Sequence, residues 1–533
     1  MLIEKSIIPM KRIKQHFNPW AIASIIVCGL LFLLQLFFIE RSQWTGDYWE
    51  HNAVIKELSL HLQQPGHPIL NVDVPHAFFS PYSVFLGAII SLTGIQVSTL
   101  LNLAMIANLL LFFSAVYLLA TMFISEKKDH AKAFLLLLIL TLFFWGSQAP
   151  LYSSFFHFSS FTLTLSYPST FAFICSVYAA AVSKQLLIVS SSVRKELALT
   201  VVLSCLLFII GLTHPLTVLF TGSLILCVYL SILQQQKFNQ QFIFKKTTYL
   251  VGAGALALTL AGFWPYYPFF SLITYAESGN QFHSDSLVLY QHIAWKIFPV
   301  FLLPVLVLFT QSLNWKKEWP LYVSLLLLLL IYAVGFYTKS YGLGRMLAFA
   351  VIVIHLLLVK NLLLIRKAKA IWFTLIFILT LPYLFQTKNI FRSLNNERRQ
   401  IASDSTSFQQ AGHSAKADAL SFLEPILEKR SSIVLTDLQT GLFIPALGGK
   451  VVAAVYPVYW VNDADQRKEQ VTLFFSNKAS QQDRLNTIYQ HRPDYILLTP
   501  STSYLFPRLA AFIESDPVAV KQGISLYQVK TYH

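Results

Sequence analysis

Asp47, Glu50 and His51 fall within five residues, in the run Gly46-Asp47-Tyr48-Trp49-Glu50-His51. On a helix, Asp47 and His51 stand at i and i+4 and share a face, with Glu50 less than a turn from Asp47. A carboxylate in that setting can take a proton from a hydroxyl or coordinate a divalent ion. The plainer reading is structural. Asp47 would cap a helix opening at Tyr48, Glu50 would be its third residue, and Trp44, Tyr48 and Trp49 would form an aromatic belt with Arg41. The residues alone leave both readings open.

Further groups could serve the same chemistry. Val74-Pro75-His76-Ala77-Phe78-Phe79-Ser80-Pro81-Tyr82 is an aromatic loop stiffened by two prolines. In it, His76 is a ligand, a hydrogen-bond donor or an ordinary interfacial histidine, and Tyr82 closes the segment. Tyr337 to Arg345 carries Lys339 and, behind Gly342 and Gly344, Arg345. The planar fork of an arginine pairs well with phosphate oxygens; the competing reading is a side chain snorkelling at a lipid boundary. Glu277, His283 and Asp285 lie in a loop without Lys or Arg and could bind sugar hydroxyls or a metal, or be solvated. Tyr456 to Trp460 and Asp463 to Arg467 combine aromatic faces with hydroxyl-binding groups. Phe155 to Ser159 and Ser166 to Ser169 add aromatic residues and are given no catalytic part.

The elements that must position these groups are apolar. Of 533 residues, 55% are hydrophobic and 12% charged, with mean hydropathy +0.57, against about 25% charged in a soluble chain. Apolar stretches recur near 19–39, 97–124, 131–149, 166–189, 196–212, 214–233, 247–269, 292–311, 320–337, 346–365 and 370–386, which predicts about eleven transmembrane helices. The first reads as an uncleaved span rather than a signal peptide. Thr213-His214-Pro215 is either a tight turn or a kink. Alternate connections hold eighteen Lys and Arg on one side and four on the other. The positive-inside rule then places the N-terminus in the cytoplasm and the loops 40–82, 150–165, 270–291 and 338–345 outside. The net charge of +15 follows this pattern and indicates membrane lipids as partners, not nucleic acid. All four cysteines lie in apolar stretches, so neither a disulfide framework nor a thiolate metal site is expected.

Two shorter features flank the second stretch. Val84 to Leu92, between Pro81 and Gly94, is too short to cross a bilayer and reads as a re-entrant or interfacial segment. Asn52 to Leu62 alternates apolar and polar residues at helical spacing and reads as a helix on the membrane surface. Near residue 389 the composition turns polar. The expected division is a transmembrane domain over 1–388 and a small extracytoplasmic α/β domain over 389–533. Its strands are expected at Ile433–Thr436, Val451–Val455, Tyr495–Thr499 and Ile524–Val529, its helices at Ala417–Leu427, Gln466–Phe475, Gln482–Gln490 and Tyr504–Ile513. Gly448-Gly449 reads as a turn.

The acidic motif after the first span, the long first outward loop running to Pro81-Tyr82, the many spans and the outward C-terminal domain together resemble the GT-C superfamily of integral-membrane glycosyltransferases. That resemblance covers most of the chain as architecture and rests on a short motif as sequence. It implies an inverting transfer of sugar from a polyprenyl-phosphate donor to a lipid, glycan or protein acceptor on the outer face of a bacterial inner membrane. Asp47 takes the place of the family's catalytic base, with Glu50 and His51 beside it. His76, Tyr82, Lys339, Arg345, Glu277, His283 and Asp285 become candidates for binding donor and acceptor. A divalent cation, Mg or Mn, held in part by Asp47, is the one cofactor implied. Family members often carry two adjacent acids where this chain has Asp47 and Glu50 separated by Tyr48-Trp49, which weighs against a paired-acid metal site. The tail lacks a Trp-Trp-Asp signature, so transfer to a sequon is not expected. Two other classes fit the composition: a lipid or glycolipid transporter or flippase, and a non-catalytic component of cell-envelope glycan assembly. A transporter calls for ionisable groups at mid-membrane, whereas here they crowd the outward edge, with His355 and Lys296 among the few inside spans.

Overall fold

The computed structural model describes residues 18–39, 47–149, 156–188, 192–237, 239–272, 288–302, 315–364, 369–402, 413–428, 432–456 and 458–530. Helices α1 (Pro19–Ile39), α2 (Tyr48–Leu60), α3 (Pro81–Thr93), α4 (Val97–Phe123), α5 (His130–Phe143), α6 (Phe158–Thr164), α7 (Pro168–Ile188), α8 (Val193–Thr213), α9 (Pro215–Gln235), α10 (Gln240–Gly262), α11 (Trp315–Thr338), α12 (Met346–Leu364) and α13 (Lys369–Ala402) build the apolar part. Eight of the described helices are long and apolar enough to cross a membrane: α1, α4, α7, α8, α9, and the helical stretches of α11, α12 and α13. The chain is a helical, multi-pass membrane protein with a small C-terminal sheet.

The other three expected spans differ in instructive ways. α10 has 23 residues, but Lys245 and Lys246 enter its first turns and dilute its hydropathy. α5 stops at Phe143 after 14 residues, about 21 Å of rise. Beyond it the chain leaves the helix so that Gly146 N–H donates to Lys296 O (2.8 Å) and Gln148 N–H to Trp295 O (3.3 Å). Only glycine allows this approach, because a Cβ on Gly146 would stand 1.9 Å from Trp295 O. The stretch expected at 292–311 opens with a five-residue helix, Ile293–Ile297, and a 3-10 turn, Phe298–Phe301. Phe144, Trp145 and Ala149 of the first irregular segment are buried, the setting in which non-helical chain is tolerated at membrane depth, whereas Trp295, Phe298 and Phe301 of the second are exposed. At Thr213-His214-Pro215 one helix ends and another begins: α8 closes at Thr213, and Pro215 occupies the first turn of α9.

Contacts sort the connections into two ends. At one, Glu196 binds Lys246 (2.7 Å) and Lys245 (3.0 Å), Lys360 faces Glu318 (3.4 Å), and Lys184 donates to Met122 O (2.8 Å). At the other, Tyr82 donates to Ser166 O (2.8 Å), Tyr267 to Leu212 O (2.7 Å), Tyr266 to Leu62 O (2.9 Å) and Trp264 to Phe79 O (3.0 Å). The C-terminal sheet sits at this second end, where Trp460 Nε1–H donates to Ser271 Oγ (3.0 Å).

That sheet has five strands in the order β2-β1-β3-β5-β4: β1 (Ile433–Leu435), β2 (Lys450–Val451), β3 (Tyr495–Leu498), β4 (Ala519–Lys521) and β5 (Ile524–Gln528). β1 pairs in parallel with β2 and β3; β5 is antiparallel to β3 and β4. Helices α14 (His413–Leu420), α15 (Ala464–Phe474) and α16 (Gln481–His491) accompany it, α16 opening with a capping box from Ser480 to Asp483. β4 is a strand that periodicity misses. Its three residues are mostly exposed, but Gln522 and Gly523 both take positive φ (51° and 77°), the signature of a tight hairpin. Short helices replace the expected Tyr504–Ile513 helix, at Ser503–Leu505 and Phe506–Leu509. α13 runs continuously through residue 388, where the composition changes.

Candidate active site

α3 and α2 set the site. Ser80 caps α3 by accepting from Ser83 N–H (3.3 Å), Pro81 fills its first position, and Gly94 closes it in the left-handed conformation (φ 68°). α3 packs on α2 so closely that a Cβ on Gly87 would come within 2.6 Å of Leu58 Cβ. α2 is not the surface helix that its pattern suggests. Every residue from Tyr48 to Leu58 is buried. Val54 and Leu58 pack with Phe79 of the first loop, Trp49 meets Phe443 of the C-terminal unit, and Lys56 and Glu57 face that unit too. There Lys56 pairs with Glu424 (2.7 Å) and Glu57 with Lys450.

Asp47 precedes this helix and is exposed. Its backbone is already helical (φ −61°, ψ −12°), its carbonyl accepts from His51 N–H (3.0 Å), and its side chain makes no capping bond among the described residues. The structural reading of Asp47 as a side-chain cap therefore does not hold among the described residues, and its charge acts on the buried groups beside it. Glu50 and His51 are buried, and the charge of Asp47 acts on both. Glu50 Oε1 lies 3.4 Å from His76 Nε2, and both side chains are buried. His76 Nδ1 accepts from Phe78 N–H (3.3 Å), so the ring proton sits on Nε2 toward Glu50. Burial raises the Glu50 carboxyl; His76 opposes the rise and the charge of Asp47 adds to it. His51 stacks on Phe78 (5.3 Å between ring centres) and meets the edge of Tyr167 (4.8 Å). Burial lowers it to about 4, with Asp47 opposing.

Residues outside the motif complete this group. Tyr456 lines a small cavity together with Trp49, Glu50 and Ala53 of α2. Its phenol is pushed up to about 12 by burial and then by the charges of Asp47 and Glu50. Tyr167 lies within electrostatic reach of Asp47 and Tyr456. His67 stands edge-on to His76 (4.9 Å). His67 had no signal in the sequence, because a lone histidine in a Gln-Pro-Gly-His-Pro loop shows no period. Tyr456 stood out only as one of several aromatic residues in the tail.

Of the other expected residues, Tyr82 is buried in the apolar cluster that holds Tyr48, Trp49 and Tyr167. Its hydroxyl is engaged with Ser166 O and Asn108 Nδ2 (3.2 Å), which makes it a tie between loops. Lys339 is exposed, with φ 55°. Arg345 belongs to a second group, built at the α8–α9 junction and the start of α12. Its guanidinium lies 4.7 Å above the ring of Tyr341, its charge acts on His214, and its buried Nε–H has no partner among the described residues. His214, which the sequence offered only as a break between helices, is thus a neighbour of that arginine. Glu277, His283 and Asp285 lie outside the described residues.

The divalent cation implied by the motif was tested against these side chains. Among the described residues no three His, Cys, Asp or Glu are placed to hold a metal ion. Glu50, the nearest acid to Asp47 in sequence, turns inward to His76. The described donors do not form a metal site.

No protein-family model matches the sequence, and no curated protein matches it by sequence. Solved structures do match the fold. ArnT from Cupriavidus metallidurans bound to undecaprenyl phosphate is similar over 96% of this chain and 98% of its own, with TM-score 0.51 and 10% identity. The oligosaccharyltransferase AglB of Archaeoglobus fulgidus, in complex with an inhibitory peptide and a dolichol-phosphate, is similar over 90% of this chain and 69% of its own (TM-score 0.50, 12% identity). An A. fulgidus oligosaccharyltransferase in complex with Zn and sulfate matches 89% of this chain and 67% of its own (TM-score 0.51, 11% identity). The chain shares its fold with these solved structures, in keeping with the architecture that the resemblance to GT-C glycosyltransferases implies.

Proposed function

We propose that this protein is a glycosyltransferase that moves a sugar from a polyprenyl-phosphate donor to a hydroxyl of a lipid, glycan or protein acceptor, at the outer face of a bacterial inner membrane. The observation that carries the reading is that Asp47, exposed and without a side-chain capping bond among the described residues, stands at the head of a helix whose other first-turn side chains are all buried. A fold shared with proteins solved with undecaprenyl phosphate or dolichol-phosphate supports the donor class.

In the proposed step, Asp47 takes the proton of the acceptor hydroxyl. The acceptor oxygen bonds to the anomeric carbon as the bond from that carbon to the phosphate oxygen breaks, which inverts the centre and releases polyprenyl phosphate. Proton transfer of this kind is worth about 10²–10⁴-fold. Arg345, whose buried Nε–H has no partner among the described residues, offsets charge on the departing phosphate, and Lys339, exposed, adds a second positive charge. The loops gathered at one end give such a carrier a place to present its head group while its tail lies in lipid. The ionisable side chains inside the bundle support this over a transporter. His355 is bonded to Phe144 O (3.3 Å) and Lys296 to Gln291 O (2.8 Å), so both serve the packing of an irregular backbone.

The test is incubation of the purified protein with a panel of polyprenyl-phosphate sugars and candidate acceptors, scoring release of polyprenyl phosphate. Release that depends on acceptor and on Asp47 is expected. Failure to release it from every donor, with every acceptor, would overturn the reading.

A further inference from the structure

The C-terminal unit does more than sit beside the first loop. Lys450, the first residue of β2, sends its ammonium to the Glu57 carboxylate and to His67 O (2.7 Å). The next residue, Val451, donates its N–H to Ile69 O (2.8 Å), and Leu70 bridges to Val451 in parallel, so the first loop covers the edge of the sheet. The turn that delivers Lys450 is tight. Gly448 takes φ +89°, and a Cβ there would meet Glu428 Cα at 3.1 Å and Lys56 Cε at 3.4 Å.

From Lys450 the contacts continue to the acid cluster. His67 Nδ1 accepts two backbone N–H groups, from Ile69 (3.2 Å) and Leu70 (3.0 Å). The neutral ring therefore carries its proton on Nε2, the buried nitrogen, and the ring stands edge-on to His76, which reaches Glu50. A second proton on His67 would have to go to Nδ1, where two donors already point. Protonating His67 thus breaks the 67–70 turn and its bridge to β2.

We infer that Lys450 is a positioning residue for the proposed transfer reaction: through Glu57, His67 and His76 it holds the first turn of α2, and with it Asp47 and Glu50, in the working arrangement. The inference rests on the transferase reading. The charged and titratable groups facing His67 are His76 from the loop before α3, Lys450 from β2 and Arg467 from α15. Burial is the main reason His67 resists protonation, and each of these positive or ionisable neighbours adds to it. Removing Lys450 takes away one such charge and loosens the turn together.

The experiment compares Lys450→Met with Lys56→Met in the full chain. Lys56 also pairs α2 with the C-terminal unit, through Glu424 and Glu428, so its loss weakens the same interface away from the histidines. Two measurements are made. The first is the rate at which diethyl pyrocarbonate modifies His67 and His76, read by peptide mass analysis without substrate. The second is the pH profile of kcat/KM for polyprenyl-phosphate release. Lys450→Met is expected to speed labelling of both histidines about tenfold or more, the equivalent of about 1.4 kcal/mol of easier local opening. It is also expected to move the acid limb of the profile to higher pH. Lys56→Met is expected to do neither, and Lys450→Arg is expected to restore wild-type behaviour in both. Equal effects of the two Met variants, or an unmoved acid limb with Lys450→Met, overturn the inference. If no donor is turned over by the wild type, the transferase reading fails, and the catalytic role given to Lys450 falls with it. The labelling rates then report separately whether Lys450 holds the turn.

Discussion

Glu50 Oε1 and His76 Nε2 face each other at 3.4 Å, with both side chains buried, while Asp47, three residues before Glu50, stands exposed. Two acids from one motif thus occupy opposite environments. Burial raises the carboxyl of Glu50. The proposed base is the exposed acid, and Glu50 with His76 forms the packed support behind it.

Asp47→Asn should lower turnover by about 10²–10⁴-fold, the usual worth of a general base. Its melting temperature should stay near that of the wild type, because the side chain makes no capping bond among the described residues. Polyprenyl-phosphate release and a thermal melt on the same preparation check this; retained turnover would remove Asp47 from the chemistry.

Glu50→Gln should behave in the opposite sense. Burial holds the Glu50 carboxyl above its ordinary value of 4.5, so the stability it contributes is fully present below that value and is lost as pH rises through the higher folded one. A permanently neutral glutamine escapes that loss. The variant should melt at a higher temperature than the wild type on the alkaline side, with the difference vanishing in acid. A constant offset across pH would contradict the assignment.

His51 gives an acid-side prediction. Its folded value of about 4 lies below the ordinary 6.5, so its contribution is present above 6.5 and lost as pH falls through 4. Melting temperature should fall across that window, and His51→Gln should flatten the fall. His67, also held low by burial, contributes in the same direction and should leave part of the slope in place.

Arg345→Met should raise the KM for donor about 10–100-fold, the loss of one charge-assisted hydrogen-bonded contact worth about 1.5–3 kcal/mol. Arg345→Lys should recover little of it, since an ammonium has neither the fork nor the planar face that lies over Tyr341. Kinetics with donor varied at saturating acceptor decide it. An unchanged KM would place the phosphate elsewhere.

Gly87→Ala tests the seat of α2. A methyl group 2.6 Å from Leu58 Cβ cannot be accommodated without moving one helix. Overpacking of this kind typically costs about 1–3 kcal/mol. A lowered melting temperature is expected, and an unchanged one would show that the α2–α3 contact is looser than described.

What was legible in the sequence follows from periodicity and charge. Long apolar runs can satisfy their backbone in lipid only as helices, so α1, α4, α7, α8 and α9 could be read from composition. The strands at Ile433, Tyr495 and Ile524 could be read from short apolar runs bounded by polar turns. α2 shows where that reasoning stops. Its alternating pattern correctly signalled a helix with two faces, but a polar face looks the same in sequence whether it meets water or a partner carrying Lys450, Glu424 and Glu428. α5 shows another limit. Its apolar run continues past Phe143, yet the chain leaves the helix because Gly146 can press against Trp295 O, and nothing local records a contact 149 residues away.

By itself the sequence determined a membrane-embedded helical chain, two-sided by charge, with an acidic motif after its first span, because hydrophobic length and the placement of Lys and Arg are properties of single segments. Only the tertiary structure decided which of the motif's acids is exposed and which is buried. Asp47 is exposed and Glu50 turns in to His76 because α2 is held between α3, which presses Gly87 on Leu58, and a C-terminal sheet that anchors Glu57 through Lys450. Those are contacts between segments up to 393 residues apart, and the burial that raises the Glu50 carboxyl exists only once they form.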